Sequence, residues 1–440
     1  MSIWIKNCKI LTMANLPHGE LEPIFCGDIA IEGKRILALG LVDVGLFSAP
    51  PQIIDGRHLL ALPGLINSHS HAAMCLLRGY ADDLPLMSWL HNHVWPIEAR
   101  MREEDVAWGM RLAVLEMLKS GTTAFIDMYG FEEAMGPVVE ETGIRACLAE
   151  GIIPEGPGQT SRLQISVDAA LKNKALPGGR ISAMLGPHAP YTCPPAYLLE
   201  VMAAADQYGF GLHIHLAETQ NELEQIRQKY QTSPTKLLEN IGFFSGRQVL
   251  AAHGVYIDDE EIALLKTHQV SIAHNPSSNM KLASGIAPVN SFLAAGLNVT
   301  LGTDSACSNN KLDMFQEMRL ASFGAKVRDL NPEALPAAKV LQLATVNGAG
   351  ALGRDDLGIL APGNLADLIL LNIDQPHFCP ANNLISHLVY AACGHDVDSV
   401  IIDGKLLVSK GQALFMDEER IMAEAEEAMR LAEKLISTLL

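Results

Sequence analysis

The sequence is short of positive charge and lacks any motif that pairs its cysteines. Its 440 residues include 32 Lys and Arg against 50 Asp and Glu, a net charge of −18. A polyphosphate chain would meet a repulsive field, so nucleic-acid binding is disfavoured. Eight cysteines are scattered along the chain and none stands in a Cys-x-x-Cys pair. This argues against a disulfide scaffold or a zinc ribbon and favours reduced thiols in the cytoplasm.

Long uncharged apolar runs are absent as well. No such run reaches the roughly 18 residues that a membrane-spanning helix needs. The start, MSIWIKNCKI, lacks a basic segment followed by a long apolar stretch, so we expect neither a secretion signal nor a membrane partner. With 49% hydrophobic and 19% charged residues, the composition predicts a globular protein with a large packed core.

Eight short apolar or β-branched runs recur from residue 60 onward, separated by stretches with helical periodicity such as Glu103–Lys119 and Pro195–Tyr208. The runs are Leu60–Ser68, Thr122–Met128, Arg145–Glu150, Ile181–Gly186, Gly211–Leu216, Val249–Ala252, Val270–Ala273 and Val299–Gly302. Strands that alternate with helices predict a parallel sheet, because a parallel connection needs a crossover. Eight units of this length predict an α/β protein with a TIM-like (β/α)8 barrel. The rival, a doubly wound sheet, lacks its Gly-x-Gly-x-x-Gly turn.

The two chain ends show a different pattern, the alternation of short antiparallel strands. The segments are Ile3–Met13, Asp28–Leu39, Gln52–Ile54, Ala366–Leu371 and Val397–Val408. We expect residues 1–58 and 365–415 to form one small β-sandwich domain, with the barrel of residues 59–364 inserted between them. Residues 416–440 are expected to form a C-terminal helix, since apolar residues recur there at roughly helical spacing: Ile421, Ala425, Met429 and Leu435.

Polar residues close the otherwise apolar barrel strands. In chain order the strand ends carry His69, His71, Asp127, Glu150, His188, His215, His253, His274 and Asp304. The carboxyl ends of barrel strands point to one face, where active sites are built from several strands at once. We therefore expect these side chains to converge on a common site.

A metal site is the first interpretation of this pattern. His69 and His71 are two residues apart, so both imidazoles lie on the same side of an extended strand. His-x-His alone is a weak signal, but His215 and Asp304 end later strands. Three neutral nitrogens and one carboxylate suit Zn²⁺, with Fe²⁺ or Mn²⁺ as alternatives.

Structural roles are the alternative for several of these residues. Asp304 taken alone could be a helix N-cap. His213 alternates with His215, so we expect it to be a core histidine, and Asp127 and Glu150 are expected to bond backbone amides or water rather than a metal. Cys307 is three residues past Asp304, yet nothing nearby marks it as a nucleophile.

Longer runs around these residues resemble the amidohydrolase superfamily. They are PGLINSHSHAAMCLLRGYADDLPLMSWLHNHVWPIEARM, LGPHAPYTC, HIHLAET, LAAHGVY, AHNPSSNMKLASGIAP, LGTDSACSNNKLDMFQEMRLA, GNLADLILL and SVIIDGKLLV. Within it they are most similar to 5-methylthioadenosine/S-adenosylhomocysteine deaminases. The resemblance implies hydrolytic deamination of adenine C6 in these nucleosides, adenosine included as a candidate, by a dimer or tetramer. Relatives that act on guanine, pterins or triazines share much of the pattern, and a non-catalytic scaffold is the least favoured alternative.

The resemblance also implies residue roles. One metal ion would be held by His69, His71, His215 and Asp304. A bridging lysine of dinuclear members is missing, because the fourth strand ends in Gly186-Pro187-His188. The other implied roles are substrate contacts by Glu98, His188, Glu218 and Asp304, proton transfer by Glu218, help to the attacking water by His253 and Asp304, packing on the nucleoside by Trp89, and contact with a substrate carboxylate by Arg162.

These residue types suit the implied chemistry. A divalent metal lowers the pKa of bound water from 15.7 to about 7. Glu218, three residues past His215, could deliver a proton to adenine N1, and partial burial would raise its pKa for that task. Without the resemblance, Glu98 would be interpreted as a surface glutamate and His188 as a hydrogen-bond donor at the barrel mouth.

Overall fold

The computed structural model describes residues 2–16, 20–84, 86–154 and 162–437. The strands, numbered in chain order, are β1 (Ser2–Ile10), β2 (Phe25–Glu32), β3 (Arg35–Gly40), β4 (Gln52–Asp55), β5 (Leu59–Pro63), β6 (Leu65–Ser70), β7 (Thr122–Tyr129), β8 (Arg145–Ile152), β9 (Ile181–Pro187), β10 (Gly211–Leu216), β11 (Val249–His253), β12 (Ser271–His274), β13 (Asn298–Leu301), β14 (Leu368–Asn372), β15 (Val397–Ile402), β16 (Lys405–Ser409) and β17 (Gln412–Ala413).

The helices are α1 (Leu86–Trp89), α2 (Trp95–Glu98), α3 (Glu103–Lys119), α4 (Glu132–Thr142), α5 (Arg162–Lys174), α6 (Pro195–Tyr208), α7 (Gln220–Tyr230), α8 (Pro234–Asn240), α9 (Asp259–Thr267), α10 (Pro276–Lys281), α11 (Val289–Ala294), α12 (Ala306–Asn309), α13 (Met314–Asp329), α14 (Ala337–Ala344), α15 (Val346–Ala351), α16 (Leu384–Tyr390) and α17 (Glu418–Ser437). A π-helical turn, Leu90–Val94, joins α1 to α2. In the part of the chain described, no helix combines the length and the apolar character needed to cross a lipid bilayer.

Strands β6 to β13 form the predicted barrel. Neighbouring strands pair in chain order and every pair is parallel. The barrel closes where β13 approaches β6: the backbone N–H of Asp304 donates to the carbonyl of His69 over 2.9 Å, and that of Thr303 donates to Asn67 Oδ1 over 2.9 Å. The prediction of a (β/α)8 barrel is therefore confirmed.

Helix α3 shows how the sequence sets the barrel's outer layer. Its N-terminus is satisfied by Asp105, whose carboxylate accepts the backbone N–H of Arg102 over 2.9 Å. Val106, Met110 and Val114 are buried at steps of four residues, as a helix packed on a sheet requires. Helices α3 and α6 have the bounds that the periodicity predicts.

The chain ends form a second, mixed sheet. Its strand order is β17-β16-β15-β14-β5-β1-β2-β3, with β4 beside β1. The sheet curls so that its two outer hairpins meet: Lys34 Nζ, between β2 and β3, lies 3.0 Å from Asp403 Oδ2, between β15 and β16. Apolar side chains from both ends of the chain share one core, including Ile31 and Leu370. The expected β unit built from both chain ends is confirmed.

Two local predictions were wrong. The run Leu60–Ser68 was expected to be one strand, but β5 belongs to the mixed sheet and β6 to the barrel. Gly64 lies between them, where any Cβ would collide with the Thr123 side chain, so the chain can change sheets there only with glycine. The end strands are also not all antiparallel, since β4 and β5 pair parallel with β1. The domain boundaries themselves stay predictions.

The C-terminal helix α17 packs against α3. Ile421 and Ala425 are buried, Met429 is half-buried, and the side chain of Leu435 lies outside the described residues. Lys119 of α3 approaches Glu418 of α17 at 2.5 Å. The helix therefore covers the barrel through an apolar stripe, as its spacing predicts.

Candidate active site

The carboxyl ends of the barrel strands surround a cavity of about 750 Å³. This lies within the range of about 300–1,000 Å³ that is usual for small-molecule sites. Except for His69, which lies deeper, the residues given a role by the resemblance line it: His71, Trp89, Glu98, Arg162, His188, His215, Glu218, His253 and Asp304. Three other strand-end residues, Asp127, Glu150 and His274, do not line it. The predicted convergence on one face is observed.

Three histidines and one carboxylate meet at the base of the cavity. His71 Nε2 lies 3.2 Å from Asp304 Oδ1 and 3.3 Å from His215 Nε2. His69 Nε2 lies 3.6 Å from the same oxygen of Asp304. These four side chains come from β6 and the residue after it, from β10 and from the loop after β13, and their donor atoms lie close to one another.

The outer ring nitrogens of these histidines are held by the barrel. His71 Nδ1 donates to the Met128 carbonyl, and His215 Nδ1 donates to the His188 carbonyl over 2.8 Å. His69 Nδ1 lies 3.0 Å from His213 Nε2. Such contacts fix the tautomer and the ring orientation of metal-binding histidines.

The donor set fits a divalent cation. His69 Nε2 is buried and has no hydrogen-bond partner among the described residues, which is uncommon for a buried polar atom. Burial lowers the pKa of His69 and of His215 well below the ordinary value. Both rings are therefore neutral and can donate a lone pair to a metal ion. Burial also lowers the pKa of His71, but the adjacent Asp304 carboxylate outweighs it and raises that pKa to about 9. His71 and Asp304 together thus favour a positive charge between them, and a bound metal ion can supply that charge in place of a proton.

Asp304 is held in an uncommon conformation. Its φ of 59° lies in the left-handed region, where a residue with a side chain is strained. Ser278 Oγ donates to its Oδ2 over 2.6 Å, and the backbone N–H of Ser305 donates to its Oδ1 over 2.8 Å. Burial raises the pKa of Asp304, but hydrogen bonds from His71 and Ser278 outweigh this and hold the pKa below the ordinary value. The N-cap of α12 is Ser305, so the alternative in which Asp304 is a helix cap was wrong.

His253 and Glu218 face each other beside this centre. His253 Nε2 lies 3.9 Å from Glu218 Oε2, and its Nδ1 donates to Asn279 Oδ1 over 2.9 Å. Burial raises the pKa of Glu218; the nearby Asp304 charge adds to the rise and His253 opposes it. The site thus contains a carboxyl group that retains its proton more strongly than an exposed glutamate does.

The remaining predicted residues lie on the cavity wall. Glu98 is half-buried and accepts a hydrogen bond from the Tyr129 hydroxyl over 2.8 Å. Burial raises its pKa, and the Tyr129 bond opposes the rise. His188 Nδ1 lies 2.9 Å from Thr192 Oγ1, and burial lowers the pKa of His188 to about 4. Glu98 is therefore a cavity residue, and its interpretation as a surface glutamate was wrong.

Trp89 and Arg162 reach the cavity from outside the strand ends. Trp89, at the end of α1, is buried. Arg162 begins α5, directly after residues 155–161, which lie outside the described residues. Its positive charge opposes the burial that raises the pKa of Glu150 to about 7.

Comparison with known proteins identifies the family. Residues 60–407 match the profile of the amidohydrolase family. The chain belongs to the amidohydrolase family. The resemblance that the sequence motifs indicate is therefore confirmed.

Individual relatives of this amidohydrolase cover nearly the whole chain. The 5-methylthioadenosine/S-adenosylhomocysteine deaminase of Pelotomaculum thermopropionicum is 50% identical over 437 residues, which cover 98% of this chain and 99% of the relative. The structure of an adenosine deaminase from Xanthomonas campestris with bound zinc is 34% identical, with a TM-score of 0.91 and coverage of 98% of both chains. The structure of an atrazine chlorohydrolase from Arthrobacter aurescens complexed with zinc is 27% identical, with a TM-score of 0.87 and coverage of 97% and 100%.

Several residues of this amidohydrolase site were missed from the sequence. They support other side chains rather than end a strand: Tyr129 holds Glu98, Ser278 holds Asp304, and Asn279 holds His253. The polar run Asn275-Pro276-Ser277-Ser278-Asn279 directly after β12 was the available signal for two of them. Tyr129 carries no such signal, since a tyrosine near a strand end is common.

The structural roles expected for other residues are largely observed in the amidohydrolase fold. Asp127 accepts the Ala72 backbone N–H and the Ser70 hydroxyl, each over 2.7 Å, as expected of a carboxylate that bonds amides. His213 is buried as expected, and its partner is His69. Burial raises the pKa of the Cys307 thiol to about 12, which agrees with the absence of a nucleophilic role.

Proposed function

We propose that this amidohydrolase hydrolyses the C6–N bond of adenine in 5-methylthioadenosine and S-adenosylhomocysteine, giving the inosyl product and ammonia, with adenosine as a further candidate substrate. The observation that carries the proposal is 50% identity, over nearly the whole of both chains, to a relative of that name. The enzyme is a hydrolase that acts on a carbon–nitrogen bond, here in a cyclic amidine. The cavity supports a small nucleoside as its ligand.

We infer one divalent metal ion per chain, Zn²⁺ with Fe²⁺ or Mn²⁺ as alternatives, held by His69, His71, His215 and Asp304. The converging donor atoms and the zinc in two related structures support this assignment. When bound, such an ion is a Lewis acid that lowers the pKa of water toward 7, so a nucleophile forms at neutral pH.

His253 and Asp304 are assigned to the attacking water. Because His253 Nδ1–H donates to Asn279, its Nε2 carries the free lone pair and faces the cavity. It can accept a proton or a hydrogen bond from a water beside Glu218. Asp304 stays ionised, so its carboxylate orients the same water.

Glu218 is assigned to proton transfer. Attack of the water oxygen on C6 places negative charge on adenine N1, and the protonated Glu218 carboxyl neutralises it. The attacking oxygen then loses both of its protons: Glu218 passes one to the exocyclic nitrogen, and the other restores the protonated Glu218 carboxyl. The C6–N bond breaks, ammonia leaves, and the C6 carbonyl of the product forms.

The other cavity residues are assigned to substrate recognition. Glu98 accepts hydrogen bonds from ribose hydroxyls, and a buried acceptor of this kind discriminates strongly against substrates without them. His188 contacts the purine nucleoside, Trp89 packs on it, and Arg162 pairs with the carboxylate of the S-adenosylhomocysteine tail. The roles assigned to Trp89 and Arg162 are supported by the resemblance and by their position in the cavity wall.

The experiment is an assay of the purified, zinc-loaded enzyme. Adding either nucleoside should release ammonia in step with the loss of adenine absorbance. Glu218→Gln should lower kcat by about 10³-fold while zinc stays bound, since only proton transfer is removed. Stoichiometric zinc without turnover of any adenine nucleoside would contradict the proposal.

A related hydrolase of guanine, a pterin or a triazine is the second candidate, favoured by the fold shared with the atrazine chlorohydrolase. Replacing Glu98 by Gln separates the two, because only a ribose-bearing substrate depends on that carboxylate. An unchanged kcat/KM in Glu98→Gln would favour the second candidate. A protein without stoichiometric metal would instead favour a scaffold.

We also propose a cytoplasmic location and a homo-oligomeric state, dimer or tetramer. Eight unpaired cysteines, five of them buried, suit a reducing compartment. Light scattering of the purified protein measures the oligomeric state directly, and a monomeric mass would contradict the second part.

A further inference from the structure

Glutamate at the third position of a helix ordinarily closes that helix's own N-terminus. In α9, Glu261 accepts the backbone N–H of Asp258, the N-cap residue, over 3.0 Å, and the Asp258 carboxylate accepts the N–H of Glu261 over 2.9 Å. Each side chain thus satisfies the other residue's backbone, as in an ordinary capping box. Its other oxygen accepts the hydroxyl of Ser233, the N-cap residue of α8, so the Glu261 carboxylate binds only at helix N-termini.

Glu222 has the same position in α7 but reaches further. The N-cap residue Thr219 accepts the N–H of Glu222 over 3.2 Å, as expected. The Glu222 carboxylate, however, bypasses Thr219 and binds the two residues before it. Its Oε1 accepts the N–H of Ala217 over 3.1 Å, and its Oε2 accepts that of Glu218 over 2.9 Å.

The turn that Glu222 holds is strained. Ala217 has a φ of 51°, in the left-handed region that disfavours residues with a side chain. Its carbonyl is also used, since it accepts the N–H groups of Val255 and Tyr256, each over 3.0 Å. The strained residue Ala217 is therefore held on both sides, by Glu222 at its N–H and by the loop after β11 at its carbonyl.

Glu222 is also costly to bury. It is almost wholly inaccessible, and burial raises the pKa of its carboxyl to about 8, while the N–H bonds from Glu218 and Ala217 oppose that rise. A shorter residue would close the helix at lower cost, because Thr219 already caps it. The carboxylate extends past the helix end and stabilises the turn between His215 and Glu218.

We propose that Glu222 is a positioning residue that sets the direction of Glu218 by fixing the left-handed turn at Ala217. This rests on the proposed function, in which Glu218 carries the proton between N1, the attacking oxygen and the leaving nitrogen. Each oxygen of the Glu222 carboxylate fixes one backbone N–H, so the side chain of Glu218 leaves the turn in one direction, toward the cavity. Proton transfer is sensitive to such displacements, since about 1 Å of misplacement costs about 10²-fold in rate.

The test compares Glu222→Gln with Glu261→Gln. Glutamine keeps the length of the side chain but has one acceptor oxygen, and its amide NH₂ opposes the second backbone N–H. Glu222→Gln should lower kcat by about 10- to 100-fold, with KM within threefold. Glu261→Gln, the same change in a helix cap away from the cavity, should leave kcat unchanged although both variants lose thermal stability.

Two further measurements separate positioning from a loss of stability. In the double variant Glu218→Gln/Glu222→Gln, kcat should equal that of Glu218→Gln alone, because Glu222 acts through Glu218. Hydrogen exchange without substrate should be faster at the amides of Ala217 and Glu218 in Glu222→Gln than in Glu261→Gln. Multiplicative losses in the double variant, or unchanged exchange at both amides, would overturn the proposal.

The outcomes also separate this inference from the proposed function. An inactive wild-type enzyme contradicts the function, and the exchange measurement still decides whether Glu222 holds the turn. If Glu222→Gln yields no folded protein, Glu222→Asp serves instead, since it keeps the carboxyl group but is one methylene too short to reach both N–H groups. Wild-type kcat in Glu222→Asp would overturn the inference.

Discussion

The hydroxyl group of Tyr129 lies 2.8 Å from Oε1 of Glu98, and both side chains line the cavity. Tyr129 ends β7, whereas Glu98 ends the short helix α2. The hydrogen bond therefore ties a residue on a short helix outside the barrel strands to the end of a barrel strand. It leaves the other carboxylate oxygen of Glu98 to meet a ligand.

Replacing Tyr129 by Phe should weaken the recognition of ribose hydroxyls. We expect KM for methylthioadenosine to rise about tenfold, the effect of one lost hydrogen bond to a charged group, with kcat within twofold. Steady-state kinetics on the nucleoside and on its 2′,3′-dideoxy analogue measures this. The analogue lacks the hydroxyls, so its KM should not change; an equal rise for both substrates would show that Tyr129 acts on the base instead.

Removing the metal should abolish deamination, and Zn²⁺ should restore it. Elemental analysis of the purified protein should find one equivalent per chain, and His215→Ala should hold less than about a tenth of that, because one of four donors is lost. His274→Ala is the matched control: this imidazole is also buried at a strand end but is not one of the four proposed ligands. Equal metal content in His215→Ala and the wild type would refute the assignment.

Arg162 should distinguish the two proposed substrates. Arg162→Met is expected to lower kcat/KM for S-adenosylhomocysteine by about 10- to 100-fold, because the tail carboxylate loses a charged partner, and to leave methylthioadenosine nearly unaffected. Lys172→Met, an exposed change on the same helix, controls for the lost positive charge. The assignment fails if both substrates lose equally.

Stability should fall as pH rises, in part through Glu317. Burial raises its pKa from 4.5 to about 7, although Ser277 and Asn309 donate hydrogen bonds to it. The folded protein therefore keeps a proton that the unfolded chain loses above about pH 4.5. The corresponding stability is complete below that pH and is lost as pH rises through about 7.

The size of this effect is at most about 3 kcal/mol, at 1.36 kcal/mol per pKa unit. Urea unfolding at pH 5 and pH 8 should show a smaller pH difference for Glu317→Gln than for the wild type, since glutamine does not titrate. Glu427→Gln, on the exposed face of α17, should behave as the wild type does. Parallel pH profiles for wild type and Glu317→Gln would disprove this account.

The barrel and the members of the site could be predicted because each depends on a repeating local pattern. Closing eight parallel strands brings every strand end to one face, so His69, His215 and Asp304 had to approach each other once the strands were counted. The change of sheet at Gly64 could not be predicted in this way. An apolar run is equally suited to β5 and β6, and only the approach of Thr123 shows that the chain changes sheets there.

The supporting contacts lay beyond prediction for a different reason. Glu222 and Glu261 stand at the same position of two helices, and the sequence around them predicts the same cap. Which N–H each carboxylate reaches depends on the path of the chain before the helix, and in α7 that path includes the left-handed Ala217. Backbone conformation of this kind is set by the tertiary contacts of the whole loop.

The closure of the barrel at His69 and Asp304 has a consequence for synthesis of the chain. The backbone hydrogen bond between these two residues joins the last part of the barrel to its first strand. It completes both the ring of strands and the group of four donors. A nascent chain that has emerged only as far as β12 carries His69, His71 and His215 but neither the carboxylate nor the seam that fixes them. The four donors can therefore come together only after residue 304 has left the ribosome.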